Sequence, residues 1–155
     1  MMKLKRTTSD HKDFQDLIKL LDNDLAARYS NHEYKYNVNI NIDRLDTVVL
    51  AYINKVTIGC GCFKEINEDT VEIKRMYVHP QLRGFGVASA ILEELSNWAK
   101  ERYYINLVLE TGKQQPEAIK LYSEHGFSII ENFGPYINSP GSLCMGKSIK
   151  TSSWR

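Results

Sequence analysis

The sequence predicts a mixed α/β fold in which helices cover a single sheet. Three observations lead to this prediction. Residues 47–78 are rich in β-branched and aromatic side chains, which favour strands. Apolar residues recur every three or four positions from Val87 to Ala99, which is typical of an amphipathic helix. The 155 residues contain no repeat, linker or shift in composition, so we expect one domain over residues 1–155.

The N-terminal part of the chain predicts a strand followed by a helix. Leu4–Thr7 suits the strand, and Ser9 and Asp10 offer side-chain oxygens that cap a helix N-terminus. The apolar positions that follow share one helical face: Phe14, Leu17, Ile18, Leu21 and Leu25. Tyr29–Asp46 then predicts a long loop, although alternating apolar residues between 34 and 42 also suit a short strand.

The middle of the chain predicts three strands joined by tight turns. Thr47–Ile53 and Val56–Phe63 are separated by two residues, which suits a hairpin. Ile66–Asp69 is expected to make the next turn, and Thr70–Val78 to form the third of these strands. Pro80 ends that strand, because proline cannot donate a hydrogen bond to a ladder.

Two helices and three strands complete the chain. The helix up to Ala99 starts near Gly84, Pro116 suits the first turn of a last helix, and Gly126 suits the left-handed residue that ends it. The remaining strands are predicted at Tyr104–Glu110, with Leu107 and Leu109 buried, at Phe127–Glu131 and at Leu143–Ser148. The predicted order is strand, helix, three strands, helix, strand, helix and two strands.

Composition argues against several classes of function. The formal net charge is +1, from 20 basic and 19 acidic residues, so the chain has no general field that would collect nucleic acid or an anionic membrane. No apolar run is long enough to span a bilayer, and Met1–Ser9 lacks the apolar core of a secretory signal. We therefore expect a cytoplasmic protein without nucleic-acid or membrane partners.

The cysteines and histidines do not predict a metal site. Cys60 and Cys62 lie two apart on a predicted strand, so they share one face and suit a core better than a metal or redox pair. Cys144 makes the number of cysteines odd. Three histidines are scattered along the chain and none is interpreted as a metal ligand: His32, His79 and His125.

The segment after Val78 predicts an anion site, because a turn with two glycines leads from a strand into a long helix. Helix N-termini carry unpaired N–H groups and the positive end of the macrodipole, which attract phosphate. Gly84 and Gly86 let the backbone approach an anion, and Arg83 can add charge-assisted hydrogen bonds. Glycines also ease such turns in many folds. A Walker loop does not fit, since no G-K-[S/T] tripeptide occurs, and Ser89 breaks the dinucleotide fingerprint.

Two motifs give this region a family resemblance. Gln81-x-x-Gly84-x-Gly86 resembles the acyl-CoA pyrophosphate motif, Q/R-x-x-G-x-G/A, of the GNAT acetyltransferase superfamily. Glu72–Pro80 looks like the strand that precedes this motif, and Ala118–Phe127 looks like the second signature of the family, A-x-x-L-Y-x-x-x-G-F. The resemblance covers about Leu4 to Ile149 and is sharp from Glu72 to Phe127.

The resemblance implies a fold and a branch of the superfamily. The fold would be the GNAT fold, with a central mixed, mostly antiparallel twisted sheet of six to seven strands flanked by about four helices. Leu109–Gly112, Gln115–Ala118 and Phe133–Tyr136 look like a bacterial branch of small-molecule acetyltransferases. Members of the superfamily are often dimers, so a homodimer is a candidate assembly by analogy.

The resemblance also implies acetyl-CoA as co-substrate, and no metal. Its expected binding residues lie on the fourth strand, the glycine turn and two helices: Met76, Tyr77, Val78, Gln81, Leu82, Arg83, Gly84, Phe85, Gly86, Val87, Ala88, Gln115 and Tyr122. A backbone N–H of Met76–Val78 is expected to stabilise negative charge on the thioester oxygen. Gln115 departs from the asparagine that many members carry, so it takes no fixed role.

Amine acetylation asks for a base and for an acid. A lysine-type amine has a pKa of about 10.4, so a base helps at neutral pH. The resemblance places the usual base at Glu72; the alternative is a surface or hairpin-edge glutamate that pairs with a lysine. Glu110, at the end of the adjacent strand, is the second candidate. Tyr122 matches the tyrosine that commonly protonates the departing thiolate, or else it packs as an apolar aromatic.

The acceptor pocket is expected around Arg28, Tyr29, Glu110 and Thr111, together with the asparagine-rich loop. Arg28 can clamp a carboxylate of the acceptor or simply complement the macrodipole of its helix. We interpret the function as direct acetyl transfer to a primary amine of a small, amino-acid- or polyamine-like molecule. Two alternatives stay open: acetylation of a protein N-terminus or lysine, and a non-catalytic acyl-CoA-binding sensor.

Overall fold

A computed structural model describes residues 1–28 and 44–150 and has the predicted order of elements. Its seven strands are β1 (Met2–Thr7), β2 (Val48–Ile53), β3 (Val56–Asn67), β4 (Thr70–Val78), β5 (Asn106–Gly112), β6 (Ser128–Ile130) and β7 (Ser142–Ser148). Its helices are α1 (Lys12–Arg28), α2 (Val87–Glu101) and α3 (Pro116–Glu124), with short 3-10 helices at Pro80–Leu82 and Gly134–Tyr136. Within the described residues there are thus three α-helices, where the resemblance implied about four. The strand suggested between residues 34 and 42 lies outside the described residues.

The seven strands form one sheet in the order β1-β2-β3-β4-β5-β7-β6. The β1–β2, β2–β3, β5–β7 and β6–β7 pairs are antiparallel, whereas β4 and β5 run parallel. A parallel pair needs a crossover connection, and α2 lies in the segment that joins β4 to β5. The predicted mixed, mostly antiparallel sheet is confirmed.

The chain divides into two compact units. The first contains residues 1–62 and 75–92, and the second contains residues 63–74 and 93–155, so β3, β4 and α2 contribute residues to both. The single domain over residues 1–155 stays a prediction.

The first unit has a core between α1 and strands β2 and β3. The predicted apolar face of α1 is buried, with Phe14 and Leu17 only 1% and 4% exposed. It packs into one hydrophobic cluster with buried residues of the strands: Val48, Leu50, Cys60, Cys62 and Tyr77. All three cysteines lie in the described residues and are buried thiols, which confirms the interpretation of Cys60 and Cys62 as core residues.

The helix cap differs from the prediction. Helix α1 begins at Lys12, and the Nδ1 of His11 accepts a hydrogen bond of 3.1 Å from the Asp13 N–H. The Ser9 hydroxyl accepts instead from the Leu45 N–H at 2.8 Å, so it joins the start of the helix to the chain that precedes β2. The expected capping by Ser9 and Asp10 was therefore wrong, because a histidine one residue later supplies the acceptor.

The predicted hairpin between β2 and β3 is confirmed, but the turn after β3 is shorter than expected. Asn54 and Lys55 both have positive φ (51° and 69°), as a two-residue hairpin turn requires. Strand β3 continues to Asn67, whose side-chain oxygen accepts a 2.9 Å hydrogen bond from the Asp69 N–H. This side-chain contact closes a turn of two residues, so Ile66–Asp69 was too long as a turn.

The second unit is built on the β4–β5–β7 part of the sheet. The β4–β5 pairing runs from Thr70–Asn106 to Ile73–Leu109, and the β5–β7 pairing runs along the whole of β5. Leu107 and Leu109 are each 1% exposed, which confirms their predicted burial. Strand β5 starts two residues later than predicted, since the Tyr104 N–H still bonds to the end of α2, at the Ala99 carbonyl.

Candidate active site

The segment His79–Gly86, called here the glycine loop, leads from β4 into α2 in the first unit. It starts with the 3-10 turn Pro80–Leu82, where the His79 Nδ1 accepts a 3.4 Å hydrogen bond from the Gln81 N–H. Gly84 and Gly86 have φ values of 86° and 83°, a left-handed conformation that side chains with a Cβ rarely adopt. The two glycines are therefore required by the path of the backbone.

The glycine loop leaves open space above a helix N-terminus. Within the described part of the chain, a Cβ built on Gly84 or Gly86 would meet no atom within 4 Å. The Ala90 N–H bonds to the Gly86 carbonyl and starts α2, while Val87 is buried and anchors the first turn. No acidic residue stands in that turn. The positive end of the helix dipole thus faces the loop without an opposing carboxylate of its own turn, which suits an anion such as a pyrophosphate.

The remaining residues of the predicted loop site differ in exposure. Phe85 is 76% exposed, Gln81 is also exposed, and Leu82 and Ala88 are partly buried. The Arg83 guanidinium contacts two groups of the first unit, and its predicted role in binding an anion stays a prediction. Its Nε donates to the Val78 carbonyl at 2.9 Å, and one terminal nitrogen lies 3.3 Å from an Asp24 carboxylate oxygen.

Strand β4 contains a left-handed residue that its amino-acid type did not predict. Arg75 adopts a φ of 58° in the middle of the strand, and the Cys60 thiol donates a 3.3 Å hydrogen bond to its carbonyl. A left-handed residue inside a strand is typical of a β-bulge, which changes the direction of the N–H groups that follow. Those groups belong to Met76, Tyr77 and Val78, of which the last two are buried. Arginine carries no signal for this conformation, so the bulge could not be predicted.

In the second unit, Glu72 on β4 is a buried carboxylate. It is only 7% exposed, and its Oε2 accepts a 2.7 Å hydrogen bond from the hydroxyl of Tyr136, which is equally buried. The Lys74 ammonium lies 4.0 Å from the same oxygen. The alternative of a surface glutamate was therefore wrong about exposure, although a lysine is indeed nearby. An ionised group is buried only with partners, and Tyr136 and Lys74 are those partners here.

Glu110 on β5 is the second carboxylate of this unit. The Ser142 hydroxyl donates to its Oε2 at 2.6 Å, and the hydroxyls of Ser139 and Ser142 lie 2.7 Å apart. Burial raises the pKa of the Glu110 carboxyl. The Ser142 hydrogen bond opposes this effect, and the negative charge of Glu72 adds to it. A carboxyl with a raised pKa can exchange a proton closer to neutral pH.

The strand register puts both carboxylates on one face of the sheet. Glu72 lies opposite Val108 in the parallel β4–β5 pair. Because side chains alternate along a strand, Glu110 shares the face of Val108, and Thr111 points to the opposite face. Thr111 is 5% exposed. The structure thus brings Glu72 and Glu110 to the same face with Tyr136 and Ser142, and it does not bring Thr111 to them. These four residues are called the carboxylate cluster: Glu72, Glu110, Tyr136 and Ser142.

Tyr122 lies on α3 and is buried. Its ring makes an edge contact with Phe127, with the centroids 5.7 Å apart. Burial raises the pKa of its hydroxyl, and the negative charge of Glu110 raises it further. The hydroxyl therefore holds its proton at neutral pH, as a proton donor must, while the ring packs as an apolar aromatic. The packing of the Tyr122 ring as an apolar aromatic is thus observed, and the role of its hydroxyl as an acid stays a prediction.

Other predicted residues lie at element ends or outside the described chain. Gln115 occupies the N-cap position of α3 and makes no side-chain hydrogen bond to that helix end. Arg28 is the last residue of α1, and Tyr29 lies outside the described residues. The sequence did not identify Tyr136 and Ser142 as hydrogen-bond donors to the two carboxylates, nor Asn132 as the side chain that contacts their backbone. The segment Phe133–Tyr136 did contribute to the family resemblance. It indicated only a branch of the superfamily, and it did not indicate that Tyr136 contacts Glu72.

Neither a metal cluster nor a membrane helix is found in the described part of the chain. Over residues 1–28 and 44–150, no group of three or more His, Cys, Asp or Glu side chains could hold a metal ion. None of the helices in those same residues has the length and apolar character to cross a bilayer.

Comparison with known proteins identifies the family that this chain matches. Residues 14–127, more than half of the chain, match the model of the acetyltransferase (GNAT) family. An IAA acetyltransferase from Azospirillum brasilense is 38% identical over 102 residues, which cover 65% of this chain and 67% of that protein. The chain spans 62% of a further curated relative, an uncharacterised N-acetyltransferase of Bacillus subtilis.

Solved structures share the fold of this chain over nearly its whole length. A Klebsiella pneumoniae structure described as an acyl-CoA N-acyltransferase has a TM-score of 0.81 and 26% identity, and the match covers 97% of this chain and 99% of that one. A GNAT family acetyltransferase from Elizabethkingia anophelis, solved with acetyl-CoA bound, has a TM-score of 0.69 and 21% identity, with 95% and 97% covered. The second likeness concerns the fold alone.

Proposed function

We propose that this chain, which belongs to the GNAT family of acetyltransferases, transfers the acetyl group of acetyl-CoA directly to a primary amine of a small molecule. Acetyl-CoA would supply an acetyl thioester that is ready for attack by an amine. The observation that carries the proposal is the glycine loop, in which two left-handed glycines open a helix N-terminus to solvent.

The glycine loop would hold the pyrophosphate of the co-substrate. The N–H groups at a helix N-terminus point out of the helix, and a pyrophosphate could accept hydrogen bonds from those at the start of α2. Gly84 and Gly86 would let the phosphate oxygens approach the backbone, because no Cβ stands in the way. Arg83 would contribute mainly by fixing the loop through Val78 and Asp24.

The carboxylate cluster would supply the base. Glu72 is the proposed residue, because the Tyr136 hydroxyl and the Lys74 ammonium both approach its Oε2. Within the described part of the chain, Oε1 is then the oxygen that remains to take a proton from the amine, directly or through a water. Glu110 would bind and orient the acceptor, and its raised pKa makes it the second candidate for the base.

Two further groups would act on the charge that develops during transfer. The N–H groups of Met76–Val78 follow the bulge at Arg75 and would stabilise negative charge on the carbonyl oxygen. The Tyr122 hydroxyl, protonated at neutral pH, would donate to the departing thiolate. A thiol has a pKa of about 8.5 and leaves moderately well unaided, so this donation would accelerate the reaction without being essential.

The proposal is tested by screening acceptors. The purified chain is mixed with acetyl-CoA and a panel of amines, amino acids and peptides, and the released thiol is measured against a reaction without acceptor. We expect thiol release that depends on one class of small amine, with the acetylated amine identified by mass spectrometry. Faster release with peptides would favour a protein acetyltransferase, and CoA binding without release for any acceptor would favour a non-catalytic sensor.

A further inference from the structure

The hydrogen bond between Tyr136 and Glu72 joins two residues that are 64 positions apart and both buried. A phenol that donates to a carboxylate makes a charge-assisted bond, which is stronger than a bond between neutral groups. Burial raises the pKa of the Tyr136 hydroxyl, and the negative charge of Glu72 raises it further, so the phenol stays a donor at neutral pH. The bond fixes one oxygen of the carboxylate and thereby the orientation of the other.

The Asn132 side chain contacts the loop that carries Tyr136 at three backbone carbonyls. The Asn132 amide nitrogen lies 3.0 Å from the Tyr136 carbonyl, 3.3 Å from the Ser142 carbonyl and 3.5 Å from the Ser139 carbonyl. The Tyr136 ring also makes an edge contact with Phe133, with centroids 5.3 Å apart. Asn132 therefore binds the backbone of the two residues that donate to Glu72 and Glu110.

We infer that Tyr136 is a positioning residue for the base Glu72, and that Asn132 fixes the loop 132–142 so that Tyr136 and Ser142 each hold one carboxylate. The inference rests on the proposed function for its catalytic meaning. It assigns a role to residues from the C-terminal part of the chain. Without the phenol, the buried carboxylate would lose its hydroxyl donor, and its ionised form would be less stable.

The pH dependence of the reaction is the readout that a purely structural role would not change. In the described part of the chain, the groups that lie near Glu72 include the Tyr136 hydroxyl, the Lys74 ammonium, the Glu110 carboxylate and the Cys144 thiol. Removing the Tyr136 donor leaves the other three in place. Loss of a donor disfavours the ionised base, so the ascending limb of kcat/KM should move to higher pH.

The test combines Tyr136→Phe, Glu72→Gln and the double variant. We expect Tyr136→Phe to lower kcat/KM about tenfold at neutral pH, because the carboxylate of Glu72 is no longer held in one orientation, and to move the ascending limb of the profile to higher pH. In the Glu72→Gln background, the same change should cause no further loss and no shift. Equal losses in both backgrounds, or a fall in Tm with an unmoved limb, would overturn the inference.

Two controls accompany this cycle. Tyr52→Phe removes another phenol–carboxylate bond, the 2.8 Å contact with Asp13 in the first unit, and should leave the pH profile unchanged. Asn132→Ala keeps Tyr136 and loosens its loop, so it should shift the limb in the same direction by a smaller amount. If Tyr136→Phe does not fold, the absence of any shift in Asn132→Ala overturns the inference.

Failure of the proposed function is recognised separately. A wild-type chain that releases no thiol with any acceptor counts against acetyl transfer. The Tyr136–Glu72 coupling is then decided by Tm measured from acidic to neutral pH. Tyr136→Phe should lower Tm more at neutral than at acidic pH, and this pH dependence should be lost in the Glu72→Gln background. A pH-independent fall in both backgrounds would overturn the inference.

Discussion

The glycine loop and the carboxylate cluster solve opposite structural problems. The glycine loop is exposed, comes from eight consecutive residues and offers backbone N–H groups at a helix N-terminus. The carboxylate cluster is largely buried and comes from side chains on three strand or loop segments, with the Glu72 and Tyr136 pair 64 positions apart. One region needs a backbone path that only glycine adopts easily; the other needs hydroxyl donors that compensate for burying charge.

Because of this difference, substitutions in the two regions should affect CoA binding and turnover separately. A side chain added at Gly84 or Gly86 meets open space but strains the left-handed backbone, so a charge that it carries should act mainly on whatever binds there. A change in the carboxylate cluster alters the protonation and the orientation of the two carboxylates, because their hydrogen-bond donors lie in the same cluster. We therefore expect variants of the carboxylate cluster to lose turnover at intact CoA affinity.

The largest effect is expected for Glu72→Gln, which keeps the volume of the side chain and removes the proton acceptor. Loss of a general base typically lowers the rate roughly a hundred- to ten-thousandfold, and we expect kcat/KM to fall within this range at neutral pH. Activity should recover partly at high pH, where the free amine becomes abundant. A pH profile of kcat/KM checks both statements.

Glu110→Gln is the matched comparison for that experiment, because it makes the same change on the same face of the sheet. It should raise the KM of the acceptor more than it lowers kcat. The opposite pattern, with the ascending limb lost in Glu110→Gln and kept in Glu72→Gln, would move the base to Glu110. Unchanged profiles in both variants would show that the acceptor enters already neutral.

A smaller effect is expected for Tyr122→Phe, which keeps the ring contact with Phe127 and removes only the hydroxyl. We expect kcat to fall roughly ten- to a hundredfold, with CoA affinity and Tm nearly unchanged. Steady-state kinetics and thermal unfolding of the same preparation measure the two effects. An unchanged kcat together with a lower Tm would make Tyr122 a core residue only.

The smallest effect is expected for the stability of Glu110→Gln, which should increase although the activity of this variant falls. The pKa of Glu110 is raised in the folded chain, so the stability contributed by this group is full below its unfolded pKa and is lost as the pH rises through the folded pKa. Glu110→Gln should therefore raise Tm at pH 7 by about 2–4 °C, the shift that about 1 kcal/mol produces in a chain of this size.

This gain should vanish at pH values well below the unfolded pKa of about 4.3, where the carboxyl is protonated in both the folded and the unfolded chain. The exposed Glu131 serves as the control, since Glu131→Gln buries nothing new and should leave Tm unchanged at both pH values. A Tm of Glu110→Gln below that of the wild type at pH 7 would contradict the assigned cost of burial.

The elements of the fold were predictable because each leaves a local pattern. Strand β4 was located to the residue from β-branched side chains and the proline that follows, and α2 from its apolar spacing. The predictions failed where the hydrogen bond of a single side chain decided where a helix or a turn begins. His11 capped α1 instead of Ser9, and Asn67 closed a turn that looked longer in the sequence.

The candidate site was predictable to the extent that it depends on backbone. The glycine loop could be identified from two glycines before a helix, since the positive φ values leave few other residues possible. Glu72 was found only through resemblance, and Tyr136 was not assigned to it, because their contact depends on how distant strands and loops pack. The left-handed Arg75 could not be predicted either, since nothing in arginine favours that conformation.

The division between the two regions is tested most directly by titrating CoA calorimetrically into three variants: Gly86→Asp, Gly86→Asn and Glu72→Gln. Asparagine has the shape of aspartate without its charge, and both tolerate the left-handed backbone better than most residues, so the pair separates charge from strain. Each variant is first checked for a cooperative thermal transition.

We predict that CoA affinity falls at least tenfold, or about 1.4 kcal/mol, in Gly86→Asp. The fall should be smaller in Gly86→Asn, and Glu72→Gln should bind as the wild type does. A folded Gly86→Asp that keeps wild-type affinity would contradict the assignment of the pyrophosphate to the glycine loop. A loss of affinity in Glu72→Gln equal to that in Gly86→Asp would contradict the separation of binding from chemistry.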